Sequence, residues 1–275
     1  MPDQHDDVVY QKDDGIAWIR LNRPEQRNAQ DTSLLTSLDS AVSAAAVDAE
    51  VRVIVLAGNG EHFSAGHDLK TAENYGKGYT VEERFAYESQ YYYDICMRIW
   101  DVPKPTIASV QGGCIAAGFM LANMCDLIVA SEDAFFCDPV VHLFGAAAVE
   151  VLIHPSAVGL RKAKDLLFTG RRMDAREAFD CGMVSRLVPR AQLHEETRAL
   201  AAQIAQAPPF ALTLVKRSLH RMADIQGFRA SLQAHFDTHQ LAHVSDEFIS
   251  KNTGGLTKAL PPRSAPGKGP VVRQV

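Results

Sequence analysis

Several features are missing from this 275-residue chain, and each absence removes a class of function. No stretch of eighteen apolar residues occurs, which argues against a membrane-spanning helix. The five cysteines, Cys96, Cys114, Cys125, Cys137 and Cys181, contain no CxxC pair. Their odd number and scattered, mostly apolar settings suit reduced thiols better than a disulfide framework, so the cytoplasm is the default compartment. The opening residues, with Asp3, His5, Asp6, Asp7, Asp13 and Asp14, lack the basic and apolar regions of a signal peptide. No GxSxG elbow, no Walker loop and no GxGxxG after a strand is present. A net charge of −5 argues against nucleic acid as the main partner, and there is no internal repeat.

What is present reads as strands alternating with helices, an α/β pattern. Residues 16–21 alternate and are rich in β-branched and aromatic side chains, which predicts a strand. Leu34, Leu35, Leu38, Ala41, Val42 and Ala45 recur at helical spacing behind the capping candidates Asp31 and Thr32. Residues 51–57 form a near-continuous apolar strand, as expected of burial on both faces, closed by Gly58-Asn59-Gly60. A mobile loop at 71–80 precedes a helix over about 81–100. Short strands follow at 106–110, 126–131 and 134–136, with a helix at 116–124 between the first two. From about 146 the chain reads as largely helical, with one strand at 183–188 and, after Pro208-Pro209, helices over about 210–222 and 226–250. The Gly- and Pro-rich tail from Gly254, with Lys258, Arg263, Lys268 and Arg273, reads as disordered.

Two stretches carry the chemistry. The first is Phe63-Ser64-Ala65-Gly66-His67-Asp68-Leu69-Lys70. The second runs from Lys104-Pro105-Thr106-Ile107-Ala108-Ser109-Val110-Gln111-Gly112 through Ala116-Ala117-Gly118 to Cys125-Asp126. Each reads as a strand entering a small-residue turn that opens a helix, a junction that leaves backbone N–H groups without partners and favours negative charge. Two such junctions facing one carbonyl would make an oxyanion hole.

In this order and spacing the pair resembles the crotonase superfamily, also called the enoyl-CoA hydratase/isomerase family. The resemblance begins at Leu21-Asn22-Arg23-Pro24-Glu25-Gln26-Arg27-Asn28-Ala29. It continues through Leu167-Phe168-Thr169-Gly170 and Ala175-Arg176-Glu177-Ala178 to Gly182-Met183-Val184, and covers about residues 16 to 251. It implies a spiral of ββα turns over residues 1–207 holding an acyl-CoA site, and a C-terminal helical segment over 208–253 that packs across subunits of a trimer or dimer of trimers. The tail, 254–275, lies outside it. It also implies acyl-CoA thioester substrates, with coenzyme A as part of the substrate and no other cofactor or metal.

By position in that family, the oxyanion donors would be the backbone N–H groups of His67 and Ala117. Alanine stands where the family usually has glycine, but the donated group is a backbone N–H, so alanine serves if its φ is negative. The CoA would thread past Arg27 and Ala29 and the backbone of Ala65, Asp68 and Leu69. Arg27 suits a phosphate because its guanidinium forks onto oxyanions; an ordinary solvated arginine is the alternative. Asp68 reads as a helix cap, a site wall, or both.

The departure from the family lies in its two catalytic glutamates, whose slots here fall at about Met120 and Val140. Neither side chain transfers a proton, whereas hydration needs both a base for water and an acid for the α-carbon. Four residues are candidates to replace them. His67 carries an imidazole, the side-chain type best suited to proton transfer at physiological pH, although only its backbone need matter. Asp138 could reach the pocket mouth or simply bond its own turn. His142 lies two residues beyond Val140 and could equally be a surface histidine. Glu150 stands out, being set in the apolar run Ala146-Ala147-Ala148-Val149-Glu150-Val151-Leu152-Ile153, read here as helical, where an unpaired carboxylate is costly.

Three further features read as ordinary. His235, His239 and His243 are spaced for zinc in pairs, but the outer two lie about 12 Å apart along a helix, so the three cannot share one ion. No Cys or Glu pattern nearby completes a tetrahedral set, which leaves a polar helix face or subunit contact. Tyr91-Tyr92-Tyr93 and Cys114 read as core rather than acyl tunnel and nucleophile. Two functions follow: an acyl-CoA enzyme (lyase or isomerase, in fatty acid metabolism) with a non-standard acid/base group, or an acyl-CoA-binding sensor or carrier that has lost catalysis. A carboxylate or imidazole in reach of the thioester α-carbon favours the first; a wholly apolar lining favours the second.

Overall fold

The computed structural model describes residues 7–70 and 80–259. The predicted loop therefore falls, except for Thr80, outside the described residues, as does the tail from residue 260. Among the described residues no helix is long and apolar enough to cross a membrane.

β1 (Val8–Asp13) and β2 (Ile16–Leu21) form an antiparallel hairpin about Asp14-Gly15. β1 was not expected, because its outer residues are polar and exposed and leave no apolar run to read. β2 then pairs in parallel with β3 (Val53–Gly58), β3 with β4 (Thr106–Val110), β4 with β6 (Leu127–Ser131), and β6 with β9 (Arg186–Val188). A second, three-stranded sheet is ordered β5 (Gly113–Ile115), β7 (Phe135–Cys137), β8 (Met173–Asp174).

The large sheet is buried on both faces, which explains the continuous apolar strands. Ile16, Trp18, Val53, Val55 and Ile107 face Leu193, Leu200 and Ala201. The alternate residues Ala17, Ile19, Ile54, Leu56 and Ala108 face the main core with Leu34, Leu35 and Leu38. Those leucines belong to α1 (Thr32–Val47), whose first turn is capped by Asp31 accepting from the Leu34 N–H at 3.0 Å. The helix expected over 81–100 is present as α2 (Val81–Glu88), a π-helical turn at Ser89–Tyr93, and α3 (Asp94–Asp101).

The chain winds as ββα turns. β4 passes to β5 and then α4 (Ala117–Asn123); β6 passes to β7 and then α5 (Val140–Phe144). The first donor stretch joins this winding through isolated parallel bridges, Gln30 with His67 and Ser64 with Cys114. The helix expected to open after it lies outside the described residues; up to Lys70 the geometry is set by this strand-like bridging. Short helices α6 (His154–Val158), α7 (Leu160–Thr169) and α8 (Ala175–Asp180) lead to α9 (Leu193–Ala205), which covers the outer face of the sheet.

α10 (Pro209–Ile225), α11 (Phe228–Ala242) and α12 (Asp246–Asn252) form the helical C-terminal region; the single helix read over 226–250 is broken at Ser245, which caps α12. Two more readings are corrected. Residues 145–153 are irregular, with Gly145 and Ala148 left-handed at φ 73° and 64°, so Glu150 is not on a helix. The tail is folded at its start: Leu256–Ala259 makes a 3₁₀ turn and buries Leu256.

Candidate active site

A cleft of about 730 Å³ gathers most of the residues singled out in the sequence. Arg27, Ala29, Ala65, Asp68 and Leu69 all line it, and so do His67, Val140 and Glu150. Arg27 and Asn28 are both left-handed, at φ 56° and 54°. The fully buried Asn28 side chain anchors that bend, donating to the carbonyls of Asn59 and His62 at 2.9 Å. Asp68 accepts from Arg23 and from the Lys70 N–H, both at 3.0 Å, and so ties the Arg23 turn to the start of the segment that follows it; whether that segment is a helix lies outside the described residues. Lys70 and Arg172 also line the cleft and add positive charge beside Arg27; their scatter along the chain hid them from sequence reasoning.

The two small-residue turns meet. A Cβ built on Gly66 would stand 3.2 Å from the Ala117 nitrogen and 2.8 Å from the Ile115 carbonyl, so only glycine permits the approach. The bridge to Gln30 uses the Gly66 carbonyl (2.8 Å) and the Asp68 N–H (2.9 Å), so His67 directs its own N–H away from Gln30. Ala117 begins α4 and is not left-handed. The strain falls one residue earlier, at Ala116, with φ 50° and ψ −113°.

His67 and Glu150 form the centre of the site. Glu150 is 1% exposed, and its Oε1 lies 2.6 Å from His67 Nε2. Oε2 is buried without a hydrogen-bond partner among the described residues. Burial pushes this carboxyl up, but the charge and hydrogen bond of His67, with His239 behind it, outweigh burial and hold it below its ordinary value. The His67 ring rests against Tyr92, centroids 4.2 Å apart; Tyr92 is core, and the site uses its face.

Backbone hydrogen bonds fix the strand of chain that carries Glu150. Asp138 accepts from the Val149 N–H at 3.2 Å, His235 donates to the Val149 carbonyl at 2.8 Å, and the Met120 sulfur accepts from the Val151 N–H at 3.2 Å. Thus Met120 helps hold Glu150 in place.

Asp138 and His142 are not brought to the cleft. Asp138 is 1% exposed, spans its own turn to the Val140 N–H, and lies 3.4 Å from His154; burial pushes its carboxyl up to about 6. His142 is exposed and bonds the Phe168 carbonyl at 2.7 Å, packed over Gly170. Cys114 is fully buried and burial raises its thiol well above the usual range, which removes it as a nucleophile.

A second titratable cluster lines the same cleft: Glu88, His239 and His243, exposed by 2%, 3% and 9%. This corrects the reading of the histidines as a polar helix face. Their ring nitrogens Nε2 and Nδ1 lie 3.3 and 3.9 Å from Glu88 Oε2, while His235 turns away to Val149. The histidine spacing was visible in the sequence, but Glu88 is supplied by α2, far away in the chain.

The chain matches the enoyl-CoA hydratase/isomerase family model over residues 11–253. A Mycobacterium tuberculosis protein, provisionally named enoyl-CoA hydratase EchA13, is 42% identical over 250 residues, 84% of this chain and 79% of its own. Among solved structures, a probable enoyl-CoA hydratase from Mycobacterium thermoresistibile is 50% identical with a TM-score of 0.81, covering 86% of this chain and 96% of its own. An enoyl-CoA hydratase/isomerase from Xanthobacter autotrophicus Py2 is 35% identical with a TM-score of 0.85, covering 92% and 95%.

Proposed function

Since the chain belongs to the enoyl-CoA hydratase/isomerase family, with its crotonase fold, we propose that it binds an acyl-CoA thioester in the cleft and moves a proton at the α-carbon, with Glu150 as the acid/base. The observation that carries this reading is the buried Glu150 carboxylate, with one oxygen held by His67 at 2.6 Å and the other without a partner among the described residues.

The thioester oxygen accepts from the His67 and Ala117 N–H groups. As Glu150 Oε2 takes the α-proton, the C–H pair flows into the carbonyl and the resulting enolate oxygen is stabilised by those two donors. Returning the proton to the α- or γ-carbon exchanges it or shifts a double bond, and no net oxidation occurs. His67 fixes the carboxylate and offsets its charge. The CoA phosphates are held from Arg27, Lys70 and Arg172, cations on the cleft wall.

Proton transfer of this kind needs one carboxylate, whereas adding water needs two groups. Met120 is fully buried and Val140 is apolar, so isomerase-type chemistry is favoured over hydration. The alternative of a non-catalytic acyl-CoA binder is disfavoured by the polar lining of the cleft, which includes Glu150, His67, Glu88, His239 and His243. Assembly into a trimer or dimer of trimers is supported by α10, which exposes Phe210, Val215, Leu219, Met222 and Ile225. The function is tested by titrating saturated, 2-enoyl- and 3-enoyl-CoA thioesters of graded length. Binding is read by calorimetry, and double-bond migration and hydration by chromatography with mass detection. Tight binding with neither reaction at any length sinks the catalytic reading.

A further inference from the structure

We propose that Glu88, His239 and His243 form a site for one divalent transition-metal ion of the zinc class. The site does not depend on the acyl-CoA reading, and its test reads metal uptake rather than turnover.

The donor set is two imidazoles and one carboxylate. One donor atom from each residue lies within 4.8 Å of the other two. A tetrahedral zinc ion with bonds of about 2.0–2.1 Å holds its ligands about 3.3 Å apart. His239 Nε2 already stands 3.3 Å from Glu88 Oε2, and His243 Nδ1 at 3.9 Å needs only a small ring rotation.

The backbone sets this arrangement. His239 lies in the last turn of α11 and His243 is its C-terminal cap, so spacing of four puts both rings on one face. Glu88 ends α2 immediately before the π-helical turn. Its carboxylate is held from outside the triad: Gln240 donates to Oε2 at 2.6 Å and Arg84 to Oε1 at 3.3 Å. Such partners orient a metal-binding carboxylate, and Oε2 keeps a second lone pair for the ion.

A second observation points to a ligand. Both ring nitrogens of His239 and the Nδ1 of His243 are buried without a well-formed hydrogen bond among the described residues. A protonated His239 between Glu88 and the Ala148 carbonyl would account for both of its own nitrogens but leaves His243 Nδ1 without a partner among the described residues, whereas an ion accounts for one nitrogen on each ring. Nitrogen donors select zinc, cobalt or nickel over magnesium or calcium. Three protein ligands leave a fourth position, and because all three residues line the cleft it is open to water or to a bound thioester.

The test is to strip the full-length chain with chelator and titrate it with zinc by calorimetry and with cobalt by visible absorption. The expected result is one ion per chain, tetrahedral cobalt bands displaced by zinc, and affinity weakened at least ~10-fold in His243→Ala and in Glu88→Gln. His142→Ala, on the exposed surface, should bind as the parent does. X-ray absorption at the zinc edge of the parent protein should give two imidazoles and one carboxylate, a readout that needs no variant to fold. Absence of uptake by the parent, an all-oxygen shell, or uptake unchanged in both variants overturns the site.

Discussion

At the scale of single residues, Ala116 carries the clearest signature of function at a cost to stability. Its φ of 50° and ψ of −113° form a combination that a Cβ disfavours, and strain of this kind costs about 1–3 kcal/mol. It is held there because the Ala116 N–H donates to the Cys137 carbonyl at 2.9 Å while its carbonyl accepts from Met120 at 3.1 Å. The sequence expectation placed the glycine-to-alanine question at Ala117, but the unusual dihedrals sit one residue earlier. Ala116→Gly should therefore raise the unfolding free energy by about 1 kcal/mol, after glycine's own entropy cost, as seen in thermal melts. A lowered midpoint would show that the alanine methyl is doing more packing than straining. Glu150 and His67 stand beside it as a pair: a buried carboxylate is tolerated only because the imidazole meets it.

At the scale of elements, α2 and α11 are joined through Glu88. Burial pushes its carboxyl up, but contact with His239, then His243 and Arg84, outweighs burial and holds it down at about 2. A depressed carboxylate contributes stability that is fully present above its ordinary value of 4.5 and is lost as pH falls toward 2. In metal-free protein, the stability gap between the parent and Glu88→Gln should thus be greatest above pH 4.5 and close on acidification, as followed by chemical denaturation at each pH. A gap that stays constant down to pH 3 would contradict the assigned charge state.

This tie also marks where sequence reading stops. Alternation and helical spacing located β2, β3, α1 and the split helix 81–101, because one-dimensional period reflects which face is buried. One wall of the cleft and the two small-residue turns that meet beside it were legible because each is a local run: Arg27-Asn28-Ala29, Gly66-His67-Asp68, Ala116-Ala117-Gly118. Glu88 was not legible, since its partners lie on α11 and nothing local sets it apart. Residues 146–153 misled for a related reason: three alanines suggest a helix, whereas bonds from Asp138, His235 and Met120 hold that segment open and irregular. Asp138 and His142 were chosen by closeness in sequence to Val140, and the turn there directs one inward beneath the loop and the other outward.

At the scale of the whole molecule, the cleft is walled by segments from almost the full length of the chain, from Glu25 to Thr257. The apolar face of α10 needs a cover, since Ile225 is 87% and Phe210 72% exposed. Light scattering should give a trimer or a multiple of it, and Leu219→Asp with Ile225→Asp should shift the mass downward. A parent protein that is monomeric at working concentration would contradict the assembly.

The central claim, that Glu150 moves a proton alpha to a thioester, is tested most directly by hydrogen exchange. Saturated acyl-CoA is incubated with the protein in heavy water, and the mass of the recovered thioester is followed with time. The account predicts deuterium gain at the α-carbon with the parent protein and at least a ~100-fold slower gain with Glu150→Gln, at unchanged thioester affinity. Thioester that binds the parent tightly yet gains no deuterium, or exchange that persists undiminished in Glu150→Gln, would contradict it.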